Sequence, residues 1–141
     1  MQQDRIKVET EVDADVKEAW EYYTVPEHIT KWNFASDDWH CPWAENDLQV
    51  GGKLKARMET ISGSTGFDFE GVYEEIVPYQ KIVYTIADGR KVETRFDSDG
   101  TETKVSLEFD PEQEYSPKQQ KEGWQAILDN FKLHAESQKE N

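Results

Sequence analysis

The chain is short of cationic residues, of cysteine and of any long apolar run, and each shortage removes a class of function. Sixteen Lys and Arg stand against 30 Asp and Glu, a formal net charge of −14. A surface of that sign repels phosphate backbones and anionic headgroups, so neither nucleic acid nor a membrane is expected as a partner. What is left for the charge is a solubilising skin rather than a site. One cysteine, Cys41, allows no intramolecular disulfide and fits a reducing cytoplasm. No stretch approaches the roughly 20 apolar residues of a membrane helix, and no N-terminal apolar run resembles a signal peptide. Neither Gly51-Gly52 nor Gly63-Ser64 is followed by Lys-Ser/Thr, so phosphate loops are absent as well.

Apolar content is also modest. Mean hydropathy is −0.92 and 35% of residues are hydrophobic, values that lean towards disorder. The aromatic content outweighs this: 12% of the chain, including five Trp, brings large buried area per residue. At 141 residues, one folded domain over positions 1–141 with a real core is expected.

The last part of the chain carries the strongest local signal. Ser116 is a good N-cap, Pro117 suits the first helical position, and Trp124, Ile127, Leu128, Phe131 and Ala135 recur at helical spacing. A helix of about 20 residues is about 30 Å long, the width of a small domain. At the other end, Ile6, Val8, Thr10 and Val12 alternate with charged residues as a half-buried strand. Asp13 or Asp15 then caps a helix bearing Val16, Ala19, Trp20 and Tyr23, and Pro26 opens a second short helix towards Trp32. Residues 33–47 read as irregular, a candidate lid. Strands follow at Leu54–Met58, Phe67–Ile76 with a bend at Gly71, Ile82–Ala87, Val92–Phe96 and Thr103–Phe109. Asp88-Gly89 and Asp99-Gly100 are hairpin signals between them. Hairpin-linked strands with segregated helices mean an α+β fold: an antiparallel sheet of about six to seven strands curved around one long C-terminal helix, with two short helices after the first strand.

That order resembles the helix-grip fold of the START-like (SRPBCC) superfamily. Within it the chain is similar to the family named for activators of heat-shock-protein-90 ATPase, C-terminal domain, in its small bacterial form. The matching segments are E-A-W-E-Y-Y-T-V-P-E-H-I (Glu18 to Ile29), N-D-L-Q-V-G-G-K-L (Asn46 to Leu54), G-F-D-F-E-G-V-Y-E-E-I-V-P (Gly66 to Pro78) and E-G-W-Q-A-I-L-D-N-F (Glu122 to Phe131). The resemblance implies a cavity for a small hydrophobic or amphipathic molecule and supplies no shared catalytic residue; no cofactor is expected. In the founding eukaryotic members a further N-terminal domain docks the chaperone; these 141 residues leave no room for one, which ranks a chaperone partner below ligand binding. Superfamily relatives that cyclise or hydrolyse polyketide-like substrates make an enzyme the alternative reading. Monomer and homodimer both stay open.

The expected cavity lies between Trp124, Ile127, Leu128 and Phe131 of the long helix and the concave sheet, where Phe69 and Tyr84 face inward. Trp32, Trp39 and Trp43 are expected at its rim. His40 and Cys41 are neighbours, but a metal would want three or four ligands and there is no second cysteine, so no metal site is assigned. Strand neighbours point to opposite faces, which also argues against a Cys41 nucleophile with His40 as base. Asp68 and Glu70 share the face opposite Phe67 and Phe69 and read as solvated. Arg57, Arg90 and Arg95 are candidate holders of a ligand carboxylate, with Arg57 and Arg95 expected to face solvent.

Overall fold

The computed structural model describes residues 5–87, 89–112 and 115–138. Seven strands form one fully antiparallel sheet: β1 (Ile6–Val12), β2 (Trp39–Asn46), β3 (Lys53–Thr60), β4 (Gly66–Val77), β5 (Lys81–Ile86), β6 (Lys91–Ser98) and β7 (Thr103–Phe109). Their spatial order is β1-β7-β6-β5-β4-β3-β2, so every consecutive pair from β2 to β7 is a hairpin and β1 closes on β7. Two short helices, α1 (Val16–Thr24) and α2 (Pro26–Ile29), follow β1, and α3 (Pro117–Ser137) ends the chain. This is the α+β helix-grip arrangement.

Local chemistry sets the helix ends. Asp15 caps α1 and Glu18 reaches back to the Asp15 N–H, a reciprocal capping box. Ser116 and Gln119 do the same for α3, with Pro117 in the first turn. Each box satisfies two backbone groups that the first turn leaves without partners, worth about 1 kcal/mol apiece.

Two sequence expectations are corrected. Residues 39–46 are not irregular: they form edge strand β2 and pair with β3. The alternation is masked because the register shifts between His40 and Trp43, where Pro42 sits on the outer edge. The distortion in β4 falls between Tyr73 and Glu75, not at Gly71. Gly71 is instead a point of close approach, because a Cβ there would lie 2.6 Å from Cδ2 of Tyr84. Gly100 does occupy the left-handed turn expected of it, at φ +108. Of the expected Asp88-Gly89 turn, Asp88 lies outside the described residues.

The position of α3 creates the functional space. From Gln125 onward one side of it binds the β1 margin: Gln125 Nε2 donates to the Glu9 carbonyl at 3.1 Å, Lys132 Nζ donates to the Glu11 carbonyl at 2.6 Å, and Glu136 Oε2 accepts from the Asp13 N–H at 3.0 Å. Beneath these ties Phe131 and Ala135 have no exposure. Phe131 meets Tyr23 and Trp32 edge to face, with centroids 5.3 and 5.2 Å away, and Tyr23 stacks on Trp32 at 5.1 Å. The helix is thus sealed at one end of the sheet, while the concave faces of β3, β4 and β5 are left without a helix on them.

Candidate functional site

The inward residues of those three strands follow directly from strand alternation. Leu54 and Met58 on β3, Phe67, Phe69 and Tyr73 on β4, and Ile82, Tyr84 and Ile86 on β5 face the N-terminal half of α3. From the helix come Gly123, Trp124, Ile127 and Leu128. Between them lies a cavity of about 740 Å³, large enough for a drug-sized molecule. Tyr23 and Trp32 close its inner end. Trp124 is held in place by stacking on Phe109, 4.6 Å away and 25° from parallel.

Of the residues read from the sequence as cavity lining, Trp32, Phe69, Tyr84, Trp124, Ile127 and Leu128 come together around this space. Trp39, Trp43 and Phe131 lie elsewhere. Trp43 faces out beside Arg57, its register partner, and is 42% exposed. Trp39 packs near Cys41 and Met58 and meets Phe67 at 6.0 Å. Phe131 is sealed in the core with no surface to offer a ligand. The β2 register shift accounts for Trp43, since it rotates the side chains after His40 out of the simple alternation.

Polar groups gather at the mouth. Arg90 Nη2 lies 3.6 Å from Glu112 Oε2, and both residues line the cavity. Gln120 is buried on α3 and pins the segment before the helix: its Oε1 accepts from the Glu112 N–H at 2.9 Å, and its Nε2 donates to the carbonyls of Glu112 and Tyr115 at 3.1 and 2.8 Å. Gln120 escaped the sequence reading, although it occupies the position four residues before Trp124 on the same helical stripe.

Three tyrosines bring hydroxyls into the apolar interior. Tyr23 shares a hydrogen bond with Thr94 Oγ1 at 3.0 Å, and Tyr73 donates to Asn46 Oδ1 at 2.6 Å. Asn46 Nδ2 donates in turn to the Thr24 carbonyl at 2.7 Å, joining β2, β4 and the end of α1. Burial pushes the Tyr23 hydroxyl up to about 12 and raises that of Tyr73 further, so both stay protonated.

The outer face bears the charges. Arg57 reaches Asp68, its register partner, at 3.2 Å and Glu59 at 3.3 Å, and His40 Nε2 lies 3.2 Å from Glu59 Oε1. Glu70 pairs with Lys53 at 3.0 Å. Asp68 and Glu70 also belong to the cavity lining, but both are tied into ion pairs, with Arg57 and Lys53, and Arg95 pairs with Glu93. Cys41 is buried; apolar surroundings push its thiol up to about 11, which disfavours the thiolate a nucleophile needs.

Comparison with known proteins places this architecture. The model of the family "Activator of Hsp90 ATPase homolog 1-like protein" matches residues 13–136. The solution structure of an AHSA1-like protein from Aeromonas hydrophila is 36% identical, with 96% of each chain covered and a TM-score of 0.87. A solution structure from Cytophaga hutchinsonii is 42% identical over 99% of this chain and 96% of that one, with a TM-score of 0.81. The Aha1 dimer from Colwellia psychrerythraea shares the fold, at a TM-score of 0.72 and 14% identity over 95% of this chain and 97% of that one. No curated relative matches the chain. No helix among the described residues is long and apolar enough to cross a membrane.

Proposed function

The chain belongs to the activator of Hsp90 ATPase homolog 1-like family, and from that premise we propose that it binds a small hydrophobic or amphipathic molecule between the sheet and α3. The observation that carries this reading is the cavity of about 740 Å³ walled by Trp124, Ile127, Leu128, Phe69 and Tyr84. A packed core has few voids larger than a water molecule, so a space of this size on the apolar side of the sheet is out of keeping with simple packing. A ligand burying about 300 Å² of apolar surface would gain about 7.5 kcal/mol, a micromolar ceiling before the losses of immobilisation.

The walls support binding in preference to acid–base work. Tyr23 and Tyr73 are engaged and held protonated, and the two lining carboxylates of β4, Asp68 and Glu70, are ion-paired with Arg57 and Lys53. A chaperone-assisting or polyketide-cyclase-like role has no comparable support in the arrangement of side chains.

Titration of the purified protein with a polarity-sensitive naphthalene dye tests the reading. One saturable site is expected, with quenching of tryptophan emission from Trp124 and Trp32. The variant Ile127→Trp fills the cavity and should remove that site. Absence of saturable binding, or unchanged binding by a folded Ile127→Trp variant, would overturn the proposal.

A further inference from the structure

Among the cavity tyrosines, Tyr84 differs in one respect. It is only 5% exposed and lines the cavity, yet its hydroxyl makes no hydrogen bond among the described residues. Buried hydroxyls are rarely left in this state, because desolvating one without a partner is unfavourable and phenylalanine would fill the same volume without that loss. The oxygen is not among the side-chain atoms sealed from all access, as Glu112 Oε1 is, so the opening it meets is the cavity.

The ring is also aimed. Gly71 leaves room for it on one side, with Cδ2 occupying the space a Cβ would need. Phe69 and Tyr73 hold it edge to face at 6.0 and 6.1 Å. A polar atom on a rigid support inside an apolar wall is how pockets fix a ligand's orientation.

Building on the reading that the cavity takes an apolar guest, we propose that Tyr84 is its polar anchor and that the guest carries an uncharged oxygen acceptor, such as a ketone, ester or amide carbonyl, on an apolar or aromatic body. Tyr84 must donate in this pairing: burial holds its proton well above the ordinary phenol range, with Tyr23 and Tyr73 adding to the effect. A partner that is itself only a donor would leave the phenol proton unpaired. A carboxylate is disfavoured because the cation among the described lining residues, Arg90, already faces Glu112 at 3.6 Å, and an unpaired buried charge is far more costly than a neutral carbonyl.

The test uses acetylnaphthalene, its alkene isostere isopropenylnaphthalene, and naphthoate, titrated calorimetrically into the wild-type chain and Tyr84→Phe. The substitution should weaken the ketone by about fivefold to tenfold and leave the alkene within about twofold. Naphthoate should bind the wild type at least about tenfold more weakly than the ketone. The thermal midpoint of Tyr84→Phe should equal or exceed that of the wild type, because no bond within the protein is lost. Equal effects on ketone and alkene, tighter binding of naphthoate, or a lowered midpoint would each overturn the anchor while leaving apolar binding intact. Failure of all three probes to bind the wild type would instead remove the cavity reading on which the anchor rests.

Discussion

Gly71 and Tyr84 share one space across the β4–β5 ladder: the ring of Tyr84 lies where a side chain on residue 71 would project, 2.6 Å from the position of its Cβ. The contact is with a ring carbon of a side chain already walled by Phe69 and Tyr73, so it has little freedom to retreat. Gly71→Ala should therefore destabilise by about 1–3 kcal/mol through overpacking, despite the better strand propensity of alanine. Urea unfolding checks this; an unchanged midpoint would show that the ring moves freely.

The stripe on α3 divides into sealing and lining positions, and the two should respond differently to truncation. Phe131 has no exposure and touches two aromatic rings. Phe131→Ala should cost about 3–5 kcal/mol. Ile127 is half-buried beside an existing cavity, so Ile127→Ala should cost less, near the low end of the range for such truncations at about 2 kcal/mol. The comparison is read from denaturant midpoints at constant m-value, and equal losses would contradict the division.

Gly123 faces the cavity from within α3, and nothing lies within 4 Å of where its Cβ would stand. Gly123→Ala should thus stabilise by about 0.5–1 kcal/mol, from helix propensity and a less flexible unfolded chain. A fall in thermal midpoint would mean that the space is tighter than its geometry indicates.

His28 Nδ1 and His134 Nε2 share one hydrogen bond at 2.8 Å, with Tyr22 edge-on to both rings. Burial lowers the pKa of His134 from 6.5, and charge on His28 and Lys31 lowers it further. Its folded pKa lies below the unfolded value, so the unfolded chain takes up the proton first. The stabilising contribution is present above about 6.5, and is lost as pH falls from there towards the lower folded value. Thermal midpoints should therefore decline just below pH 6.5, above the range where Glu136 and Glu9 titrate, both being lowered from 4.5. His134→Gln should flatten that decline; an identical slope in the variant would exclude the pair as its source.

Cys41 should resist alkylation while the chain is folded. Its thiol is buried, pushed up to about 11, and close to the Trp43 carbonyl at 3.4 Å. Disulfide-exchange labelling at pH 8 should be slow in buffer and complete in urea, since the thiolate is the reacting species. Rapid labelling of the native protein would contradict the burial.

Much of the fold was legible because its signals are local. Ser116, Pro117 and the apolar stripe defined α3, and clean alternation in β1, β6 and β7 survives in their burial. What stayed hidden depends on irregular backbone or on distant partners. The shift between His40 and Trp43 breaks the period by which β2 would have been recognised, and it sends Trp43 outward. Pro42 was the available clue, since proline within an aromatic run marks an edge strand. Gly71 suggests a kink in β4, but its real reason is Tyr84, two strand positions away in space and thirteen in sequence. Gln120 is invisible in the sequence because a polar residue on an apolar stripe looks like its boundary; only the carbonyls of Glu112 and Tyr115 give it a purpose.

The ties from Gln125 and Lys132 to β1 have a consequence beyond shaping the cavity. A sheet has two margins at which a foreign strand can seed polymerisation. On β1 the carbonyls of Glu9 and Glu11 are already occupied by α3. On β2 the proline lacks a donor and the register shift breaks the flat row of groups that a template needs. An open, seven-stranded sheet with an aromatic interior is thereby blunted at both ends, and it can hold a solvent-reachable apolar hollow without offering neighbouring chains a place to add on.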